Sequence, residues 1–256
     1  MIPAFPVYLF DVDGTLADTE RDGHRVAFNQ AFSEAGLDWR WDVPLYGELL
    51  AVTGGKERMR FYLDRYRPDF PRPADLDAQI ARLHAAKTRH YTALLAQGGI
   101  PLRPGVRRLL AEARAAGLRL AIATTTTPEN VTALLRCALA ADGESWFEVI
   151  AAGDVVPAKK PAPDIYQYAL EKLGLDARAC LAFEDSENGL RSARGAGLKT
   201  VVTVNDYTRD QDFHDALLVL DQLGEAEQPL RVLAGGMPLN GARTFDLALA
   251  RQLMAG

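Results

Sequence analysis

From Arg103 onward the chain alternates apolar runs with amphipathic stretches, and that alternation fixes the fold class. "PLRPGVRRLLAEARAAG" puts Val106, Leu109, Leu110 and Ala113 at helical spacing, with Pro104 suited to a first turn and Gly117 to an end. "LRLAIAT", "FEVIAAG", "ACLAF" and "LKTVVTV" read as strands, and "PENVTALLRCAL", "PAPDIYQYALEKLG" and "SENGLRSARGAG" as the helices between them. The strands lack polar alternation, so both of their faces are expected to be buried. The predicted class is α/β, a doubly wound parallel sheet covered by helices on each side. "MIPAFPVYLF" reads as its buried first strand.

Between Leu16 and about Gly98 no comparable strand signal returns. "GHRVAFNQAFSEAG" carries Val26, Ala27, Phe28, Ala31 and Phe32, and "DLDAQIARLHAAKTRHYTALLAQG" carries Leu76, Ile80, Leu83, Tyr91, Leu94 and Leu95, both as helical stripes. This predicts an all-helical cap at residues 18–98, inserted between core segments 1–17 and 99–256, with Leu16–Thr19 and Gly98–Pro104 as tethers. After Gly224 a short apolar piece, a glycine-rich turn and a helix from Arg243 to Met254 are expected to pack on the sheet edge, with no site assigned.

The 256 residues are 48% hydrophobic, enough for a sizeable core. A net charge of -5 argues against general nucleic-acid or membrane binding, so an anionic ligand needs a local basic site. No apolar run is long enough for a membrane helix, and no basic segment precedes the first apolar stretch, so a cytoplasmic protein is expected. Cys137 and Cys180 lack metal or redox spacing and are expected as buried thiols.

Polar clusters fall where the strands end, the edge at which open α/β sheets bind ligands. Asp11 and Asp13 stand in "LFDVDGTLADTE", Thr124 opens "TTTT", Lys160 precedes Pro161, and Glu184 and Asp185 follow "CLAF". Each alone suits a turn or a helix cap. Together they gather carboxylates, a hydroxyl and an ammonium around one crevice. Hard oxygen ligands without clustered His or Cys favour Mg2+, with Asp11, Asp13 (through its main-chain carbonyl), Glu184 and Asp185 as the ligand candidates. Asp11 suits a nucleophile, Asp13 an acid/base whose side chain holds a proton beside the Asp11 charge, and Thr124 and Lys160 a clamp on a phosphoryl group.

"DVDGT", Thr124, "KKPAPDIY" and "EDSENG" resemble the four motifs of the haloacid-dehalogenase superfamily, in its phosphatase and phosphomutase branch with a small helical cap. The resemblance implies the same roles for Asp11, Asp13, Thr124 and Lys160, and Asp185 as the principal metal carboxylate with Glu184 beside it. "ELLAVTGGKERMRFYL", "DTERDGHRVAFNQAF" and "LDWRWDVPLYGELL" are similar to the CbbY subgroup, whose members hydrolyse xylulose 1,5-bisphosphate, an inhibitor of Rubisco. That likeness places Glu20, His24, Tyr46 and Thr125 on the substrate side. Gly54 and Gly55 would let the backbone approach a distal phosphate, with Lys56 and Arg58 supplying charge and Arg60 nearby. The expected partner is a small phosphosugar; the protein is expected as a monomer, linked to Rubisco through its substrate rather than by direct binding. A β-phosphoglucomutase-like phosphosugar mutase and a non-catalytic binding protein of the same fold are the alternatives.

Overall fold

The computed structural model describes residues 7–235 and 241–255. The start of the run read as the first strand, and most of the glycine-rich turn, lie outside the described residues. Strand β1 (Val7–Phe10) leads into the helices α1 (Arg25–Glu34), α2 (Val43–Leu49), α3 (Gly55–Tyr66) and α4 (Leu76–Ala96). There follow α5 (Val106–Ala115), β2 (Leu120–Ala123), α6 (Pro128–Leu134), β3 (Val149–Ala151), α7 (Asp164–Leu173), β4 (Cys180–Glu184), α8 (Glu187–Gly195) and β5 (Lys199–Thr203). The chain closes with β6 (Leu218–Leu220), β7 (Val232–Gly235) and α9 (Leu247–Ala255).

The sheet order is β3-β2-β1-β4-β5-β6-β7, with β1 paired parallel to both β2 and β4. Period-two alternation sends Tyr8 and Phe10 into one core and Val7 and Leu9 into the other, so β1 is buried on both faces. A chain leaving the end of such a strand enters the crevice between the loops of its neighbours. The sheet is not wholly parallel: β7 runs antiparallel to β6. Neither β6 nor α2 stands out in the sequence, because three residues or two turns carry too little periodicity.

The inserted segment has its own aromatic core, in which Phe28, Phe32, Trp39, Trp41, Tyr46 and Tyr62 pack together. Tyr91 and Leu95 at the far end of α4 join the sheet's core instead, which ties the cap to the sheet. No helix among the described residues is long and apolar enough to cross a membrane. The final helix begins at Leu247 rather than Arg243, since the Leu230 N–H donates to the Arg243 carbonyl and the Phe245 N–H to that of Leu223. Those bonds hold Arg243–Phe245 against another segment and forbid helix there. Cys180 is buried as expected, but Cys137 is exposed, on the outward side of a π-helical turn, Leu135–Leu139, that follows α6.

Candidate active site

The carboxyl ends of β1, β2 and β4 converge on a cavity of about 240 Å³. Asp11 continues β1, its N–H donating to the Phe183 carbonyl at 3.0 Å. Gly14 follows with φ of 87°, and a Cβ there would collide with Asp185 and Asn205, so the turn needs glycine. Thr124, buried at the end of β2, and Thr125 line the cavity.

Lys160 is the hub of the core side. Its ammonium donates to Asp11 Oδ1 at 2.7 Å, to Glu184 Oε1 at 2.6 Å and to the Ala123 carbonyl at 2.9 Å. Asp185 Oδ2 accepts from Asn205 Nδ2 at 2.7 Å. One carboxylate oxygen from each of Asp11, Glu184 and Asp185 lies within 4.8 Å of the others. Burial, then repulsion from neighbouring carboxylates, pushes Asp185 well above the usual range. Burial raises Asp11 to about 7 even though Lys160 pulls it down. With all three carboxylates ionised, the one ammonium in contact with them would leave negative charge uncompensated, which is what resists their ionisation without a cation. All the donors are hard oxygens, so the residues present fit a divalent cation of the magnesium type.

The Asp13 side chain turns away from this trio. Its Oδ1 accepts from Thr19 Oγ1 at 2.5 Å and lies 2.8 Å from His24 Nε2. His24 Nδ1 is in turn 2.8 Å from Lys87 Nζ. An ammonium has only donors, so protonated Lys87 makes Nδ1 the acceptor and leaves the ring proton on Nε2, facing Asp13. Burial works against ionising Asp13, but His24 and Thr19 outweigh it and hold Asp13 below the usual carboxylate range. The preference expected from like-charge crowding is therefore reversed in the resting site: Asp13 has its own hydrogen-bond donors in His24 and Thr19, with the Lys87 ammonium behind His24, and Asp11 shares Lys160. His24 backs Asp13 rather than lining the cavity, with its ring 4.0 Å from that of Tyr91.

On the cap side Glu20 and Arg58 reach the cavity. The Tyr46 hydroxyl donates to Glu20 Oε2 at 2.5 Å and accepts from Arg58 Nη1 at 2.8 Å. Tyr46 thus supports the two charged groups from behind. Lys56 goes elsewhere: its Nζ bonds Asp154 Oδ2 on the core at 2.7 Å. Positions two apart on a helix point about 200° apart, so α3 cannot aim both Lys56 and Arg58 at one ligand. Gly54 and Gly55 do not line the cavity either. They open α3, and a Cβ on Gly55 would meet the His84 ring at 2.7 Å, so close helix packing accounts for that glycine. Arg60 pairs with exposed Asp77 at 2.9 Å.

Sequence reasoning missed Lys87, Arg103 and Tyr166. Lys87 had a signal: it replaces an apolar residue on the α4 stripe of Ile80, Leu83, Tyr91 and Leu95, all buried. Arg103, in the second tether, donates to the carbonyls of Gly14, Thr203, Val204 and Asp221, pinning the hinge to the ends of the sheet. Tyr166 donates to Glu184 Oε1. A buried partner so far along the chain leaves no periodic mark.

A family model described as haloacid dehalogenase-like hydrolase matches residues 5–197. The chain belongs to this family. It is 54% identical to "Protein CbbY, plasmid" of Cupriavidus necator over 95% of this chain and 94% of that protein. The crystal structure of CbbY from Rhodobacter sphaeroides in complex with phosphate superposes with a TM-score of 0.79, at 50% identity over 85% of this chain and 94% of that one. A mutant of that CbbY in complex with xylulose-(1,5)bisphosphate matches at TM-score 0.79 and 49% identity, with the same coverage. The chain is thus a haloacid dehalogenase-like hydrolase of the CbbY group, with the helical cap and the α/β core expected.

Proposed function

We propose that this hydrolase is a magnesium-dependent phosphatase of a sugar bisphosphate, D-xylulose 1,5-bisphosphate first, releasing xylulose 5-phosphate and phosphate. The observation that carries the reading is a cavity with a cation at each end, Lys160 beside Asp11 in the core and Arg58 in the cap. A bisphosphate has an anion at each end; a monophosphate leaves one cation unmatched. The CbbY complex with xylulose-(1,5)bisphosphate supports the same substrate. Removing that compound would relieve inhibition of Rubisco, and a cytoplasmic monomer suffices for the task.

In this reading Asp11, Glu184 and Asp185 hold Mg2+, with the Asp13 main-chain carbonyl as a further ligand. Bound there, the ion neutralises phosphoryl oxygens and keeps Asp11 ionised. Asp11 attacks the C1 phosphorus, forming an aspartyl phosphate as the bond to the sugar oxygen breaks. Thr124 and Lys160 stabilise the equatorial oxygens, and Thr125 lines the same end. Asp13 gives its proton to the leaving oxygen; that proton reaches it from His24 Nε2–H as His24 Nδ1 takes one from the Lys87 ammonium, so His24 stays neutral and Lys87 is the source. Asp13 then takes a proton from the water that attacks the aspartyl phosphate, returning Asp11 and freeing phosphate. Arg58 holds the distal phosphate, Glu20 accepts from sugar hydroxyls, and Tyr46 fixes both.

The test is a product assay with xylulose 1,5-bisphosphate, ribulose 1,5-bisphosphate and β-glucose 1-phosphate, scoring free phosphate against isomerised monophosphate. Phosphate release fastest from xylulose 1,5-bisphosphate is expected. Isomerisation of β-glucose 1-phosphate without phosphate release would instead make the protein a mutase.

A further inference from the structure

We propose that Tyr166 is a positioning residue for phosphoryl transfer: its buried hydroxyl locks Glu184, and through Glu184 it fixes the Lys160 ammonium against Asp11. The inference rests on the reading of this cavity as a phosphoryl-transfer site.

Tyr166 is wholly buried on α7, among Ile165, Ala169 and the apolar residues of β4. Phenylalanine would fill that space equally well, and a hydroxyl in such a place costs free energy unless it is satisfied. This one is satisfied by a carboxylate, donating to Glu184 Oε1 at 2.6 Å. Burial, then the charges of Glu184 and Asp11, hold the phenol well above its ordinary value, so it remains an O–H donor.

Glu184 has little freedom left. Oε1 takes both the Tyr166 hydroxyl and the Lys160 ammonium, while Oε2 packs on Gly189, where any Cβ would collide with it. Lys160 is equally constrained, because its three N–H groups are spent on Asp11, Glu184 and the Ala123 carbonyl. The Tyr166 ring adds a face 5.0 Å from Nζ. Remove the hydroxyl, and Glu184 Oε1 keeps one donor instead of two. The carboxylate can then rotate, and the ammonium that follows it loses its single position beside Asp11. The freed charge on Glu184 is also more available to a cation.

The proposal therefore carries a signature of opposite signs, whereas simple loosening of the site would weaken turnover and cation binding together. Tyr166→Phe is expected to fold normally and to lower kcat for xylulose 1,5-bisphosphate roughly 5–30-fold with KM nearly unchanged, the scale of a lost hydrogen bond to a charged group. Calorimetric titration of the substrate-free protein with Mg2+ is expected to show tighter binding, by about 2–5-fold on the same scale. In a Glu184→Gln background the second substitution should change kcat and Mg2+ affinity less than about twofold, because its effect passes through Glu184. Tyr166→Phe with kcat within twofold of the parent, or losses that multiply in the double variant, overturns the proposal. If the parent protein hydrolyses no phosphate ester, the phosphatase reading fails on its own. The titration then still decides, since Mg2+ affinity unchanged or weakened by Tyr166→Phe contradicts the lock on Glu184.

Discussion

Lys160 Nζ lies 2.7 Å from Asp11 Oδ1 across a sequence separation of 149 positions, the contact on which the core side of the site is built. The same ammonium compensates Glu184, and its bonds are buried. Truncating it leaves Asp11 and Glu184 without the ammonium that contacts both, while the charge of Arg103 still acts on Asp185. Lys160→Met is expected to lower kcat by at least about 100-fold, in line with losing an electrostatic clamp. It should also lower Tm in chelator, and Mg2+ should raise Tm more in the variant than in the parent, because the ion replaces the ammonium as counter-charge to Asp11 and Glu184. Thermal melts with and without Mg2+ check this; equal metal-induced shifts would contradict it.

Arg58 and Lys56 are separated by the same experiment. Arg58 is buried at the cavity between Tyr46 and Glu20, so Arg58→Ala is expected to raise KM for the bisphosphate by about 30-fold or more, as truncating a desolvated charge costs roughly 2–5 kcal/mol. KM for a matched monophosphate should change little. Lys56 forms a half-exposed pair with Asp154, the kind worth under about 1 kcal/mol, so Lys56→Ala should alter both substrates equally and by less than about fivefold. Bisphosphate-selective loss in Lys56→Ala would return that residue to the phosphate.

Lys87 carries the pH dependence. Burial lowers it to about 8 from an ordinary 10.5, even though Asp13 raises it. Between those values the unfolded chain binds a proton that the folded chain has lost, so stability from this group rises with pH through that interval. Below about pH 8 the folded protein bears the full cost of a buried ammonium. Lys87→Met is therefore expected to raise Tm at pH 7 and to lose that advantage between about pH 8 and 10.5, while reducing turnover because His24 loses its partner. A Tm difference independent of pH would contradict the assignment.

The cysteines give a simpler check. Cys137 is exposed, whereas Cys180 is buried and burial pushes its thiol up to about 12. One equivalent of a thiol reagent is expected to react quickly with the native protein and the second only on unfolding. Two fast equivalents would contradict the burial of β4.

Much of this was legible because period and position are local properties. Apolar runs gave β2, β4 and β5, stripes gave α1 and α4, and strand ends gave Asp11, Thr124, Lys160 and Asp185. Orientation was not legible. The pair Gly54-Gly55 announces a helix start, but only the packing of α3 on α4 decides that Arg58 faces the cavity and Lys56 faces Asp154. The brevity of β6 and the antiparallel β7 depend on the pairing partner rather than on composition. Arg103 and Tyr166 were invisible for a related reason: each is a polar residue whose meaning lies in partners from other elements.

The central claim is that Asp11 takes the phosphoryl group. It is tested by incubating Asp13→Asn protein with xylulose 1,5-bisphosphate labelled at the C1 phosphate, quenching in acid and mapping the labelled peptide. Asn at position 13 should slow both formation and hydrolysis of the aspartyl phosphate, so over a long incubation the label that does transfer should stay trapped on the peptide containing Asp11, with none in Asp11→Asn protein. Label on another residue, or phosphate release by folded Asp11→Asn at a rate near the parent's, would contradict the claim.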